Sequence, residues 1–199
     1  MQNCKSIDIP IAKSESLSLE MAPKTPDEQK QIAQVPYSSA VGSLMYVMMC
    51  TRLDISFAIG LVNRFQSNLG LAYWKAVKWI LHYLKETTDC MLCYRSANLN
   101  LVGYSDADWE GDLDNHKSIS GYALLLNGGA ISWSSEKRSC IALSTIKVEF
   151  IACSAVAQEA IWLRRFLHNL NVTTCAKDPV TIHRDSTAAI AFTKDPKYH

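Results

Sequence analysis

The sequence predicts an α/β fold in which a mixed sheet is flanked by helices and preceded by a small helical region. Hydrophobic residues make up 48% of the 199 residues and charged residues 20%, which is typical of a globular protein and excludes a chain that is disordered throughout. After Thr87 the helical periodicity gives way to short strand-like runs, which are followed by a helix, a strand and another helix. This order of elements is typical of a mixed sheet with helices packed on it.

The part of the chain before the sheet divides into a polar stretch and a helical stretch. Residues 1–36 are polar, contain three prolines and show no sustained periodicity, so we interpret them as an extended arm or linker. Apolar content rises over 37–65, where helices fit best. An amphipathic helix then follows Gly70, because apolar residues recur every three or four positions. These residues are Leu71, Trp74, Val77, Leu81 and Leu84. Residues 37–95 are therefore predicted to be a helical segment.

The sheet is predicted to lie mostly within residues 96–199. The strand-like runs are Met91–Tyr94, Leu101–Ala107, Ile119–Leu126 and Ala130–Ser135. Asn127-Gly128 predicts a tight hairpin, because both residue types tolerate a positive φ. A long helix is predicted from about Thr145 to Leu170. A strand over Val180–Arg184 and a helix that begins near Ser186 complete the pattern.

The long helix carries an unusual acidic residue on its apolar side. Glu149 begins a stripe at helical spacing whose other members are all apolar or small. Those members are Ala152, Val156, Ala160, Leu163 and Leu167. Because a buried carboxylate is costly unless it is paired, Glu149 is expected either to accept hydrogen bonds at the rim of the sheet or to bind a metal ion.

Two aspartates end predicted strands and could lie beside Glu149. Asp106 ends the run Leu-Val-Gly-Tyr-Ser-Asp, and Asp185 ends Val-Thr-Ile-His-Arg-Asp. Taken singly, Asp106 could be a solvated turn residue and Asp185 a helix cap. Taken with Glu149, they could converge at one edge of the sheet, where three carboxylates would stay ionised only around a divalent cation. Oxygen ligands favour Mg²⁺ or Mn²⁺, and the typical chemistry of two such ions is phosphoryl transfer.

Charge elsewhere in the chain is local and does not produce one large field. The net charge is only +1, so any contact with nucleic acid must come from local patches. Acidic residues alternate at 106, 108, 110, 112 and 114, which first suggests a cation site. Lys137, Arg138 and Arg184 lie near the predicted sheet rim and are candidate phosphate contacts. The alternative is that they are solvated surface charges.

Compartment and redox state follow from the cysteines and the N-terminus. The seven cysteines are an odd number, and Cys90 and Cys93 have no second pair that would complete a zinc site. The N-terminus lacks the apolar core of a signal peptide, and no apolar stretch is long enough to cross a membrane. We therefore expect an intracellular protein with reduced thiols that is neither secreted nor a membrane protein.

Several motifs occur together in an order that resembles one family. The first group is Tyr104-Ser-Asp-Ala-Asp-Trp-Glu-Gly-Asp, Gly129-Ala-Ile-Ser-Trp-Ser-Ser, Ala142-Leu-Ser-Thr with Glu149-Phe-Ile-Ala, Glu159-Ala-Ile-Trp-Leu-Arg-Arg, and Asp185-Ser-Thr-Ala-Ala-Ile. The second is Val35-Pro-Tyr-Ser-Ser-Ala-Val-Gly-Ser-Leu-Met-Tyr, Cys50-Thr-Arg-Leu-Asp-Ile and Trp74-Lys-Ala-Val-Lys-Trp-Ile-Leu-His-Tyr-Leu-Lys. The chain resembles the Pol polyproteins of copia-type LTR retrotransposons, of the plant, tobacco-transposon type. The first group resembles their ribonuclease H domain, and the second resembles the end of the reverse transcriptase and its connection.

The resemblance implies a ribonuclease H-like fold and metal-dependent cleavage of RNA in RNA–DNA hybrids. By that resemblance Asp106, Glu149 and Asp185 are the catalytic carboxylates and bind two Mg²⁺ or Mn²⁺ ions. The implied partners are the RNA–DNA hybrid and the remainder of the Pol polyprotein, including its reverse transcriptase. The implied location is a cytoplasmic particle or the nucleus. Integrases share this fold, but their motifs differ, so they rank lower.

Departures from the family pattern leave alternatives open. The paired aspartates of the polymerase motif are absent, so the chain is not expected to polymerise DNA. Ile146 and Lys147 replace a Thr-Glu pair, and Leu53 replaces a proline. The family pattern continues past His199 into a segment with a fourth carboxylate and a last helix, so a truncated domain with little or no cleavage is expected. The alternatives are a non-catalytic relic of a decayed element and a hybrid-binding module that does not cleave.

Overall fold

The chain forms two compact units, Met1–Met91 and Leu92–His199, in a computed structural model. The structure describes residues 7–12, 17–94, 99–112, 114–139, 144–171 and 179–194. Among these residues, no helix is both long and apolar enough to cross a lipid bilayer.

The first unit is helical over its described residues. Its α-helices are α1 (Pro26–Ala33), α2 (Tyr37–Cys50), α3 (Ser56–Asn63) and α4 (Leu71–Glu86), with short 3-10 helices at Leu19–Met21 and Leu53–Ile55. The helices predicted over 37–65 and after Gly70 are therefore confirmed. Their core contains large buried side chains such as Tyr37, Tyr73 and Ile80.

The segment predicted to be an extended arm differs from that prediction. It contains α1, which begins with a capping box: the Glu28 amide donates to Thr25 Oγ1 (3.3 Å), and the Thr25 amide donates to Glu28 Oε2 (3.2 Å). Pro26 suggested a break in the chain, but at the first helical position its missing N–H costs nothing. Ile11 and Leu17 are also buried in the core of the first unit.

The second unit contains a four-stranded mixed sheet with helices, which confirms the predicted ribonuclease H-like α/β class. Its elements are β1 (Leu101–Asp112), β2 (Lys117–Leu126), β3 (Gly129–Lys137), α5 (Thr145–Asn169), β4 (Thr181–His183) and α6 (Thr187–Lys194). The strand order is β3-β2-β1-β4. Neighbours among the first three strands are antiparallel, whereas β4 runs parallel to β1.

Two local predictions for the sheet have opposite outcomes. The predicted hairpin is confirmed, because Asn127 and Gly128 join β2 to β3 with φ values of +50° and +86°. The predicted strand Met91–Tyr94 is wrong, because no strand forms there. Tyr94 instead donates its hydroxyl hydrogen bond to the Ala130 carbonyl (2.8 Å). That tertiary contact orders the segment without a β ladder.

Strand β1 extends beyond its predicted end at Ala107. Its pairing with β2 shifts register between Asp108 and Asp112, and Asp112 then pairs with Lys117. The Asp112 side chain is buried, and its Oδ2 lies 2.5 Å from Lys137 Nζ on β3. An ion pair to the third strand therefore stabilises the end of a strand whose alternating acidic sequence suggested a cation site.

Helix α5 packs on β1 and β2 at a point where β1 has no side chain. A Cβ atom placed on Gly103 would lie 3.2 Å from side-chain atoms of Val156, Leu124 and Ile182. These three residues belong to the second core, whose fully buried members include Leu124 and Val156. Gly103 thus permits the close approach that sets the height of α5 above the sheet.

The first turn of α5 has half of a capping box. Ser144 is the N-cap, and its Oγ accepts a hydrogen bond from the Lys147 amide (3.4 Å). A lysine side chain at this position cannot accept a hydrogen bond from the Ser144 amide, and its positive charge is repelled by the positive end of the helix dipole.

Lys147→Glu is expected to stabilise the second unit by about 1 kcal/mol, because it completes the capping box and reverses an unfavourable charge. Urea unfolding at neutral pH measures the change. Lys147→Gln is the matched control: it can complete the box without adding negative charge, so it should give part of the gain. A loss of stability in Lys147→Glu would contradict the assigned cap.

Candidate metal centre

Asp106 and Asp185 lie at corresponding places on two neighbouring parallel strands. Tyr104 and His183 are the last Cα partners between β1 and β4. Each aspartate comes two residues after its member of this pair. Both aspartates are exposed, and Asp106 Oδ1 accepts a hydrogen bond from the Ala107 amide (2.8 Å). The parallel register therefore carries both carboxylates to the same edge of the sheet.

Glu149 approaches this edge from the second turn of α5. As its position on the apolar stripe predicts, Glu149 is buried, with 8% of its surface exposed. Within the described part of the chain, its Oε2 atom is buried without a hydrogen-bond partner. Hydrogen bonding at the rim of the sheet, which was one of the two expectations for Glu149, therefore does not satisfy this oxygen among the described residues. A buried oxygen in that state is costly unless a cation or water satisfies it.

The three carboxylates form a cluster with the spacing of a cation site. One oxygen from each of Asp106, Glu149 and Asp185 lies within 4.8 Å of the other two. Opposite ligands of octahedral Mg²⁺ are about 4.2 Å apart, because each bond is about 2.1 Å long. The oxygen-only donor set and the unpaired Glu149 oxygen also fit Mg²⁺ or Mn²⁺.

The electrostatics of the cluster disfavour the ionised form of Glu149 when no cation is bound. Burial raises the pKa of Glu149 above its ordinary value of 4.5, and the charges of Asp106 and Asp185 raise it further. The Arg184 guanidinium opposes this shift. Bringing the carboxylates together therefore costs stability that a bound cation would recover.

The raised pKa predicts how the metal-free protein responds to pH. Above the ordinary value of 4.5 and up to the raised pKa, the folded state holds more protons at Glu149 than the unfolded state. This contribution to stability is present at low pH and is lost as pH rises through the raised pKa. Glu149→Gln should therefore stabilise the metal-free protein at pH 7 by about 1 kcal/mol, the usual scale of a single substitution.

Urea unfolding between pH 4.5 and 7.5 with a chelator tests this. Glu136→Gln, at an exposed carboxylate of β3, is the matched control and should change little. A Glu149→Gln protein that is less stable than the parent in chelator would show that burial and the neighbouring aspartates do not destabilise the ionised form of Glu149.

Comparison with known proteins relates the whole chain to transposon polyproteins. It is 47% identical over all 199 residues to the retrovirus-related Pol polyprotein from transposon TNT 1-94 of Nicotiana tabacum, and 32% identical over 200 aligned residues to that from transposon RE2 of Arabidopsis thaliana. The chain belongs to the copia-type retrotransposon Pol polyprotein family. It spans 15% and 13% of the lengths of these two Pol polyproteins.

A further relative of this Pol segment carries a different name. The chain is 46% identical over 130 residues to the secreted RxLR effector protein 161 of Plasmopara viticola. The matched region covers 65% of the chain and 92% of that relative. No protein-family model matches the chain, and no solved structure matches it.

The acidic residues that alternate along β1 in this Pol segment separate into different environments. Asp106 belongs to the carboxylate cluster, whereas Asp112 pairs with Lys137. Asp112 also accepts hydrogen bonds from the amide and the side chain of Asn115 (3.1 and 3.0 Å). Asp108 is exposed and lies close to Gly111. Their alternation suggested one cation site, but it did not distinguish the carboxylate cluster from the ion pair at the end of β1.

The three candidate phosphate contacts occupy different positions. Arg184 lies between β4 and Asp185 and acts electrostatically on Glu149. Lys137 forms the ion pair with Asp112, and Arg138 donates from Nε to Ser120 Oγ. Ile119 on β2 pairs with both Asp108 on β1 and Lys137 on β3, so Lys137 lies at the same end of the sheet as the carboxylate cluster. Two strand spacings, about 10 Å, separate Lys137 from β1. Only Arg184 adjoins the carboxylates along the chain.

Two features beside the cluster were missed in the sequence. The rings of Tyr104 and His183 stack with centroids 5.1 Å apart. Each of these residues lies two positions before an aspartate of the cluster. Gly103 sets the packing of the helix that carries Glu149. A glycine inside a strand was the available signal for close packing. The ring stack depended on the β1–β4 pairing, which the sequence alone does not specify.

Proposed function

We propose that the second unit is a metal-dependent ribonuclease H-like nuclease that cleaves the RNA strand of RNA–DNA hybrids. The observation that supports this most is the cluster of Asp106, Glu149 and Asp185, with one buried oxygen left unpaired. An exposed edge carries two of these carboxylates, so a polyanionic strand can reach them. The residues match the family motifs that imply this activity.

Each residue of the cluster has a proposed role in the reaction. Asp106, Glu149 and Asp185 would hold two Mg²⁺ or Mn²⁺ ions. The buried Glu149 oxygen, which has no hydrogen-bond partner among the described residues, would be satisfied as a metal ligand. When bound, such ions neutralise the scissile phosphate, lower the pKa of the attacking water and stabilise the leaving 3′ oxygen. Arg184 would orient a neighbouring phosphate, because it adjoins both Asp185 and the Glu149 carboxylate.

Binding of the hybrid would depend on its backbone. Phosphate and 2′-hydroxyl contacts carry such recognition, because base edges are paired within the duplex. Arg138 and Lys137 would contribute phosphate contacts farther along the strand, provided that Lys137 releases Asp112. The remainder of a Pol polyprotein, including its reverse transcriptase, would supply the hybrid, inside the cell in a cytoplasmic particle or the nucleus.

Cleavage of a hybrid with labelled RNA is the direct test. The expected result is slow, metal-dependent shortening of the RNA, because three carboxylates hold the charge of two divalent ions only weakly. The same RNA should resist cleavage when it is single-stranded or paired with RNA. Glu149→Gln should remove the activity, whereas Glu136→Gln should retain it.

The other outcomes separate the remaining functions. Salt-sensitive hybrid binding without cleavage, at any concentration of Mg²⁺ or Mn²⁺, would favour a hybrid-binding module. Absence of both metal binding and hybrid binding would favour a non-catalytic relic. Cleavage that persists in Glu149→Gln would assign the chemistry to other residues.

A further inference from the structure

Helix α5 has a second apolar face on the side that the sheet does not cover. Its last three turns and its C-cap residue expose Ile161, Trp162, Phe166 and Leu170, by 44%, 56%, 46% and 55% of their surfaces. On the inner face of the same turns Ala160, Leu163 and Leu167 are buried, and the first two belong to the core formed with the sheet. The packing of α5 on the sheet therefore does not explain the exposed residues, which we call the outer stripe.

The outer stripe is ordered and continuous. Trp162, Phe166 and Leu170 recur every fourth position and cover about 12 Å of helix, because each residue adds about 1.5 Å. The Trp162 and Phe166 rings stack with centroids 5.3 Å apart and an interplanar angle of 8°. An aromatic pair held in this way loses little side-chain freedom on binding, which favours its use in an interface.

Charge on the outer stripe has one sign. The sequence from Ala160 to Asn171 contains no aspartate or glutamate, but it contains two arginines and a histidine. Arg165 is exposed, and no ion pair among the described residues includes it. The carboxylate nearest in sequence, Glu159, accepts a hydrogen bond from Ser132 on β3 (2.9 Å). The charge that would complement Arg165 is therefore not provided by the described residues.

We propose that the outer stripe docks an acidic amphipathic helix of a partner protein. Trp, Phe and Arg are enriched in the cores of protein interfaces, from which Asp, Glu and Lys are depleted. A helical partner matches the spacing of the stripe, and its flanking carboxylates would pair with Arg165. A second copy of the chain fits less well, because it would bring like charges together. A nucleic acid strand fits less well because most of the stripe is aliphatic or self-stacked.

Two synthetic helical peptides with the same leucine stripe test the proposal. One carries glutamates beside the leucines and the other carries lysines in the same positions. By fluorescence anisotropy, the full chain should bind the glutamate peptide at least tenfold more tightly than the lysine peptide. Trp162→Ala and Phe166→Ala should each weaken this binding at least tenfold, and Arg165→Glu should reverse the preference.

The controls separate docking from general hydrophobic adhesion. Tyr46→Ala removes a ring that is 72% exposed on α2 and should leave peptide binding unchanged. Thermal unfolding of each variant should match that of the parent, because the replaced side chains are largely exposed. Equal affinity for both peptides would overturn the proposal. So would stronger binding of oligo(dT), or self-association in sedimentation, if either is lost in Trp162→Ala.

Discussion

Replacing Asp106 with asparagine is expected to remove the stabilisation of the protein by divalent cations. Mg²⁺ or Mn²⁺ at about 100 times its Kd should raise the free energy of unfolding of the parent by about 2.7 kcal/mol, because it binds only the folded state. Loss of one of three ligands should weaken binding by about 100-fold or more, since changes even behind the ligands cost 10- to 100-fold. At the same ion concentration, the gain in Asp106→Asn should then fall to about 0.4 kcal/mol.

Calorimetry with and without the ion measures this difference. Asparagine is the appropriate replacement, because its Oδ1 can still accept the hydrogen bond from the Ala107 amide. Asp108→Asn is the matched control: it lies on the same strand and is equally acidic but is not part of the cluster. It should keep the full metal effect. Equal loss in both variants would mean that the ion binds a diffuse acidic strand, and no shift in the parent would exclude the site.

Replacing Gly103 with valine is expected to destabilise the second unit by about 3 kcal/mol, the upper part of the range for overpacking a core. The valine Cβ alone would lie 3.2 Å from side-chain atoms of three core residues, and its two methyl groups would increase the steric overlap. Helix α5 would have to move away from β1. Because α5 carries Glu149 towards Asp106, the metal-dependent stabilisation should decrease as well.

Thermal unfolding measures both effects of Gly103→Val. Gly42→Val is the matched control, since a Cβ at Gly42 in α2 would meet nothing within 4 Å. That change should be neutral or slightly stabilising, because valine favours a helix more than glycine does. A Gly103→Val protein with unchanged stability and an unchanged metal effect would show that the close packing of α5 on β1 does not position Glu149.

The elements that the sequence predicted well depend on local chemistry. Asn127-Gly128 specifies the hairpin because its two positive φ values are local properties of the backbone. The stripe through Glu149 specifies which side of α5 is buried, because a helix places every third or fourth residue on one face. The missed helix α1 also has a local signal, the capping box of Thr25 and Glu28, whereas two other errors involve distant partners. Tyr94 is positioned by its hydrogen bond to the Ala130 carbonyl, and the longer end of β1 is stabilised by the ion pair of Asp112 with Lys137.

The sequence alone placed one carboxylate at a buried helix position and two at the ends of predicted strands, although Asp106 proves to lie within the longer strand β1. Only the tertiary structure decided that they meet. The parallel register of β1 and β4 brings Asp106 and Asp185 level, although 78 residues separate them in the chain. Gly103 then lets α5 approach until a Glu149 oxygen lies within 4.8 Å of both. The physical reason is that strand pairing and packing height arise from side chains far apart in sequence, whereas periodicity is local to each element.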